Sequence, residues 1–208
     1  DAVSMVSGNG MSHLYLKGKN GWESRKTFEE ISYDSLLLDE LRQRPEIDIV
    51  VTEGADGSIH LQTERGHSSF KVDRRDQIWY QFDGRDPLGI FENGDDRLNR
   101  SFSFDESLQY TFSSNYPDVF VQMHQIFKSD RAGDVIVSAK PGYDLRKKFE
   151  HPLHKSGHGG LHPLHMRIPL LCNHPIPKQL VRSVDIYPTM LKLMGKPVPS
   201  GLDGRCLV

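Results

Sequence analysis

The chain has 208 residues, of which 26% are charged and 37% hydrophobic, and its 26 Lys and Arg against 28 Asp and Glu give a formal net charge of −2. This composition is typical of a globular protein of one or two domains, and it argues against a nucleic-acid partner bound through a broad basic face and against a polybasic membrane anchor. The longest apolar runs, such as 36–38 and 168–172, are far shorter than the ~20 residues that span a bilayer, so we expect no membrane segment.

The first part of the chain has an α+β pattern. Residues 2–6 and 13–16 predict two strands joined by a turn at 7–10. Apolar periodicity predicts a helix over 34–44, which Pro45 ends. Four further strands are predicted at 47–52, 58–62, 68–72 and 77–82. We therefore expect residues 1–85 to form a small α+β unit with its helix on one face of the strands.

The rest of the chain returns to alternating helices and strands after a polar stretch. Residues 86–116 begin with many Asp, Gly, Arg and Asn residues and are predicted to be a connecting loop region. The later pattern predicts a helix from Pro117, a strand at 133–139, a strand-like run at 166–171 and a helix at 183–194 with Ser183 as its N-cap. Residues 117–208 are thus expected to form an α/β sheet layer.

The two cysteines carry little functional information. Cys172 and Cys206 have neither a metal-binding nor a redox spacing, so we expect two reduced, buried thiols. So few cysteines weakly favour a cytoplasmic location, and a signal peptide removed upstream would leave the location open. The chain starts at Asp1 and not at a methionine, which suggests that residues of the same protein precede it.

Five of the ten histidines fall within fifteen residues. They are His151, His154, His158, His162 and His165. Their spacing would suit one helix face, but Pro152, Pro163 and three glycines exclude a continuous helix. The glycines around His158 predict a tight loop in which the backbone can approach a metal or a phosphate. The residues alone leave two alternatives: His158 is a metal ligand, or the cluster is a polar surface loop.

Four segments, in this order, resemble the C-terminal part of the alkaline phosphatase superfamily, and most closely its type I phosphodiesterase and nucleotide pyrophosphatase branch. The segments are Gly133–Tyr143, the G-H-G-G run at 157–160, M-R-I-P-L at 166–170, and V-D-I-Y-P-T at 184–189 followed by L-D-G-R at 202–205. The resemblance covers residues 117–208 and implies an alkaline phosphatase-like sheet layer there.

The resemblance also implies a metal-dependent phosphoric-ester hydrolase. In that family the G-x-H-G loop supplies the last histidine ligand of a two-metal site, a role that would belong to His158. The implied cofactors are two divalent metal ions, with zinc favoured and Mn or Fe as alternatives. Gly157 and Gly159 would let the substrate phosphate approach, and His154 or Lys155 would assist from behind the ligands. The implied partner is a small phosphate ester.

The chain also departs from the family pattern. It contains neither the Ser or Thr nucleophile near the family's N-terminus nor an Asp-His-Gly ligand run. Ser-Gly-Asn-Gly-Met at 7–11 resembles a Ser-Asp-His-Gly-Met run whose two ligand positions have become Gly8 and Asn9. Either this is a degenerate metal loop, or it is a later strand and turn and the true ligand run lies upstream of Asp1; we favour the second.

Two functional hypotheses follow. The first is that the chain is the C-terminal fragment of a metal-dependent phosphatase or phosphodiesterase, inactive when isolated because at most one ligand lies within it. The alternative is a non-catalytic accessory or binding module. The sequence preceding Asp1 discriminates between them, because only the enzyme requires a nucleophile and an Asp-His-Gly run there.

Overall fold

The computed structural model describes residues 1–19, 21–34, 36–92, 94–146, 156–177 and 180–208. Within them lie eight strands. They are β1 (Ala2–Ser7), β2 (Met11–Leu16), β3 (Ile47–Glu53), β4 (Ile59–Thr63), β5 (Gly66–Val72), β6 (Gln77–Phe82), β7 (Phe102–Ser103) and β8 (Val135–Ala139). The six strands predicted in the first 85 residues and the one at 133–139 are therefore confirmed.

The helices are short. They are α1 (Phe28–Asp34), α2 (Leu37–Arg42), α3 (Phe104–Thr111), α4 (Val119–Phe127), α5 (Pro163–Met166) and α6 (Ile186–Leu193), with 3-10 turns at Asp96–Asn99 and Ser183–Asp185. None of the helices in the described residues has the length and apolar character needed to cross a membrane.

One antiparallel sheet contains all eight described strands, in the order β1-β2-β8-β3-β4-β5-β6-β7. Strand β8 lies between β2 and β3, where Val137 is paired with Ser12 on one side and with Val50 on the other. The predicted mixture of helices and strands is confirmed, and the strands are antiparallel throughout the described sheet.

The described chain divides into two compact units, Asp1–Arg167 and Ile168–Val208. The division predicted from the sequence was 1–85, 86–116 and 117–208. In the structure β8 pairs with strands from the first of those regions, because a buried apolar strand needs a hydrogen-bonding neighbour on both edges.

Helices α3 and α4 cover one face of the sheet in the first unit. Phe120 of α4 is fully buried, and its ring meets Phe70, Tyr80 and Phe102 at centroid distances of 5.1, 4.8 and 5.6 Å. Such edge-on aromatic contacts add to the free energy gained by burying the rings. This aromatic cluster is the centre of the larger hydrophobic core.

Helices α1 and α2 pack on a smaller core that includes Leu38, Val135 and Val137. The helix predicted over 34–44 is confirmed in its interior as Leu37–Arg42, with Leu38 buried. Leu36, which the prediction placed on the buried stripe, is 71% exposed. Helix α1 was not predicted.

The region predicted as a connecting loop contributes to the core. Asp86 is buried, and its carboxylate accepts hydrogen bonds from the Tyr80 hydroxyl and from the backbone N–H groups of Leu88, Ile90 and Phe91. Burial raises the pKa of Tyr80, and the Asp86 carboxylate raises it further. The hydrogen bonds of Asp86 thus hold this polar stretch in a turn, and Leu88 and Phe91 are buried in the core.

Three expectations for the second half are wrong. Residues 167–172 contain no strand, and Ile168 and Leu171 are 70% and 92% exposed, so this run has no strand partner among the described residues. Ser183 does not cap α6, which begins after a 3-10 turn and has Asp185 at its N-cap position. The cysteines are unpaired as expected, but Cys172 is exposed and Cys206 is partly exposed.

In the unit Ile168–Val208, Asp185 and Thr189 hold the C-terminal tail against α6. The Asp185 carboxylate accepts from the N–H groups of Arg182 (3.1 Å) and Arg205 (2.9 Å), and the Thr189 hydroxyl accepts from the N–H of Leu207 (3.1 Å). The N–H groups that these side chains accept belong to the segments flanking α6 and not to the helix itself.

Three stacked rings join α1 to the sheet. Phe28 lies over His60 with a centroid distance of 3.9 Å, and the His60 Nδ1 and His67 Nε2 atoms are 2.9 Å apart. Burial lowers the pKa of His60 and the neighbouring His67 lowers it further, whereas Glu29 and Asp56 oppose that shift. Loss of hydration also lowers the pKa of His67. One of the two facing nitrogens therefore donates to the other, and both rings favour their neutral forms.

The aromatic core should dominate the stability of the first unit. We predict that Phe120→Ala lowers the free energy of unfolding by about 3–5 kcal/mol, because it removes a buried ring and leaves a cavity. Urea unfolding measures the change. The control is Trp79→Ala, which removes a ring that is 52% exposed and should cost less than about 1 kcal/mol. Equal losses would show that Phe120 does not hold the core.

The histidine pair should make folding sensitive to pH. Because the folded-state pKa values of His60 and His67 are lowered, their contribution to stability is complete above the unfolded pKa of about 6.5 and is lost as the pH falls below it. Urea unfolding between pH 8 and 5 should show this decline, and His60→Gln should reduce it. His174→Gln, at an exposed position, should leave the decline unchanged. An identical decline in wild type and His60→Gln would contradict the assignment.

Candidate functional site

The loop that carries His158 lies against the turn between β1 and β2. The Gly10 N–H donates a hydrogen bond of 2.9 Å to the carbonyl of His158. Leu161, which is buried at the end of the same loop, donates its N–H to the Ser138 hydroxyl of β8 at 3.0 Å. The loop is therefore fixed by backbone groups at both ends, and the continuous helix that the sequence argued against is absent from residues 156–160.

Glycine is required where the two backbones meet. Gly8 has a φ of +63°, and a Cβ atom there would lie 2.3 Å from His158 Nδ1. Gly159 has a φ of +91°, and a Cβ atom there would lie 2.5 Å from the carbonyl oxygen of Ser7. Both positions combine a left-handed backbone with a contact that excludes any side chain. In the structure the loop backbone approaches Ser7 and Gly8, and its approach to a metal or a phosphate stays a prediction.

The sequence singled out five residues for this site. His158 and its neighbours Gly157 and Gly159 are exposed, and no hydrogen bond joins the His158 ring to another described residue. One edge of the ring faces Gly8, as its Nδ1 position shows. His154 and Lys155 lie outside the described residues. Among the described residues, no group of three or more His, Cys, Asp or Glu side chains could hold a metal ion.

His165 is oriented by the same loop. Its Nδ1 atom accepts a hydrogen bond of 3.1 Å from the Gly160 N–H, so the neutral ring carries its proton on Nε2. Burial lowers the pKa of His165, and His162 and His158 lower it further. A nitrogen that carries a proton cannot ligate a metal. In this orientation His165 Nδ1 is occupied by the Gly160 N–H.

His162 also has a structural contact. It occupies the N-cap position of α5, where its Nδ1 accepts from the Leu164 N–H at 3.3 Å. Of the three described histidines of the cluster, His158 is therefore the one whose ring nitrogens make no such bond to a described residue.

The sequence analysis missed the role of the chain that follows β8. The backbone carbonyl of Asn9 accepts a 2.9 Å hydrogen bond from the Leu145 N–H, and the Asn9 side chain contacts Asp144 and Arg146. A cavity of about 420 Å³ opens here, lined by Asn9, Tyr143, Asp144, Ser156, Gly157 and His165 together with Gly10 and Gly142. The signal in the sequence was Asn9 itself, since asparagine between two glycines is typical of a left-handed turn.

No protein-family model matches the chain, and no curated protein and no solved structure matches it either. The site must therefore be interpreted from its own geometry and from the resemblance of its motifs.

The Gly8 contact gives a direct test of this geometry. We predict that Gly8→Ala displaces the His158 ring and lowers the melting temperature more than Gly57→Ala does. Gly57 is also a hairpin-turn glycine with positive φ (+77°), but nothing lies within 4 Å of its missing Cβ. Gly57→Ala should cost only the backbone strain, roughly 1–2 kcal/mol. Thermal unfolding and the NMR signals of ¹⁵N-labelled histidine rings measure both effects. A His158 signal unchanged in Gly8→Ala would refute the contact.

Proposed function

We propose that this chain is the C-terminal portion of a metal-dependent phosphoric-ester hydrolase of the alkaline phosphatase superfamily, with the sheet as part of an alkaline phosphatase-like layer. The observation that carries the proposal is the His158 loop. Its backbone is fixed to Gly10 and Ser138, while the ring keeps its nitrogens clear of hydrogen bonds to described residues. An exposed imidazole on a fixed loop suits a metal ligand.

The residues present fit one ligand of such a centre. When bound, two divalent metal ions, preferably zinc, would stabilise the charge on the entering and leaving oxygens of a phosphoryl group. His158 would hold one of them. On this proposal the other ligands and the Ser or Thr nucleophile belong to a part of the protein that precedes Asp1.

The turn at Gly8 and Asn9 bears on the two explanations of the Ser-Gly-Asn-Gly-Met run. Gly8 has no side chain, and the Asn9 amide is engaged by Asp144 and Arg146. Neither residue offers a metal ligand in this arrangement. The geometry therefore supports the explanation that 7–11 is a strand and turn behind His158, with the ligand run elsewhere.

The substrate on this proposal is a small phosphate ester. Gly157 adds no side-chain bulk to the exposed loop beside His158, which supports the approach of a phosphate there, whereas the missing side chain of Gly159 faces Ser7. Lys140, which could also meet a phosphate, pairs instead with Glu64 at 2.8 Å.

A second candidate function is a non-catalytic binding module. The observation in its favour is the exposed apolar surface of α6, where Tyr187, Met190 and Leu193 are 56%, 54% and 41% exposed. Large exposed apolar side chains in one helix are typical of a contact surface. The sequence encoded upstream of Asp1 separates the candidates: an intact reading frame that begins at Asp1 would favour the module.

Replacement of His158 tests the proposal that the protein is a metal-dependent hydrolase. In the full-length protein, we predict that His158→Ala lowers the metal content by about one ion per active site and reduces turnover of p-nitrophenyl phosphate or its diester by orders of magnitude. The fold should persist, because the His158 ring is exposed. Metal analysis, steady-state kinetics and thermal unfolding measure these three outcomes.

The controls for this prediction are His162→Ala and His165→Ala. Both should have far smaller effects on metal content. The Nδ1 atom of His165 is occupied by the Gly160 N–H and its Nε2 atom carries the proton, and His162 caps α5. Equal, mild effects of all three variants would mean that the cluster is a polar surface loop. Hydrolysis by residues 1–208 alone, abolished by His158→Ala, would contradict the assignment of the other ligands to the upstream region.

A further inference from the structure

Asn9 has an unusual position for a residue with a side chain. It is 3% exposed, and its φ of 41° lies in the left-handed region. That region costs most residues free energy, and asparagine tolerates it better than other residues with side chains. Glycine would tolerate it better still. The presence of a buried asparagine therefore suggests that its amide group has a function that glycine cannot supply.

The amide joins the turn to the chain after β8. Its Nδ2 donates a 2.6 Å hydrogen bond to the Asp144 carboxylate, and its Oδ1 accepts from the Arg146 guanidinium. The Asp144 carboxylate also accepts a 2.8 Å hydrogen bond from the backbone N–H of Arg146. A side chain here must donate to an acid and accept from a base at once. An amide does both, whereas a carboxylate could not donate to Asp144.

The two glycines that flank Asn9 contact the His158 loop. Gly8 lies against the His158 ring, and the Gly10 N–H binds the His158 carbonyl. The same three-residue turn is thus held by Asp144 and Arg146 through Asn9 and in turn holds His158. A shift of the turn would move the surface on which the ring rests.

We propose that Asn9 is a positioning residue that sets the direction of the His158 imidazole toward the metal centre. It acts through the turn and does not touch the metal. This inference rests on the proposed function, because it takes His158 to be a ligand. Groups that orient a ligand in this way have measurable effects on metal affinity, commonly 10–100-fold.

The test uses Asn9→Gly in the full-length protein, which keeps the left-handed backbone and removes the amide. We expect a change in the His158 ring signals of the metal-free, ¹⁵N-histidine-labelled protein and a zinc affinity about 10–100-fold lower. The matched control is Asp76→Gly, at an exposed hairpin turn with a φ of 56°. It should change neither the His158 signals nor the zinc affinity.

A charge exchange separates positioning from simple loss of stability. Asn9→Asp places two carboxylates together and should also weaken zinc binding. The Asn9→Asp, Asp144→Asn double variant restores a donor and an acceptor between the two positions and should recover most of the zinc affinity and the wild-type His158 signals. If Asn9→Gly fails to fold, the double variant still tests the positioning role of Asn9. Failure of the double variant to recover either property, while its melting temperature recovers, would overturn the inference.

The outcomes also separate this inference from the proposed function. If His158→Ala retains all of its zinc, His158 is not a ligand and both proposals fail. If His158→Ala loses zinc but Asn9→Gly keeps wild-type zinc affinity and His158 signals, the proposed function stands and the positioning role of Asn9 is refuted.

Discussion

The pairing of β8 with both β2 and β3 is the interaction on which the rest of the described structure depends. Without β8 the β1–β2 hairpin would have no hydrogen-bonded contact with the strands from β3 onward. All five residues of β8 are buried, and Ile136 and Val137 belong to the two different cores. A strand covered on both faces is mostly apolar, which explains its Val-Ile-Val run, and the buried hydroxyl of Ser138 is paired with the Leu161 N–H.

Hydrogen bonds to β8 hold the candidate site in place. Ser138 of β8 accepts a hydrogen bond from the end of the His158 loop, and the Ala139 N–H donates to the Gly10 carbonyl at 2.9 Å, so loop and turn are bonded to adjacent residues of β8. Asp134, just before β8, is also structural, because its carboxylate accepts the N–H groups of Leu16 and Lys26. Thus the Asp134 carboxylate at the start of the 133–143 segment helps to fix the position of β8.

Features that depend on residues close together in sequence were predictable, and features that depend on residues far apart in sequence were not. The strand at 77–82 and the interior of the helix at 34–44 were predictable, because local apolar periodicity determines them. The buried role of 86–116 was not, since it depends on Asp86 reaching Tyr80 across a polar stretch. In the site, the glycine loop was predictable from composition. Its contact with Gly8 and Asn9 joins residues about 150 positions apart, and no local pattern contains that information.

The site separates the residues that determine its shape from the residue that would perform the chemistry. Gly8, Gly10 and Gly159 fix the loop through main-chain contacts, in which the His158 side chain takes no part beyond resting on Gly8. On the proposed function, loss of the imidazole would remove a ligand without removing a bond that holds the loop, whereas loss of a glycine forces the backbones apart. A ligand supported in this way can be positioned within narrow limits at little cost to stability, because the contacts that position it belong to the backbone of its neighbours.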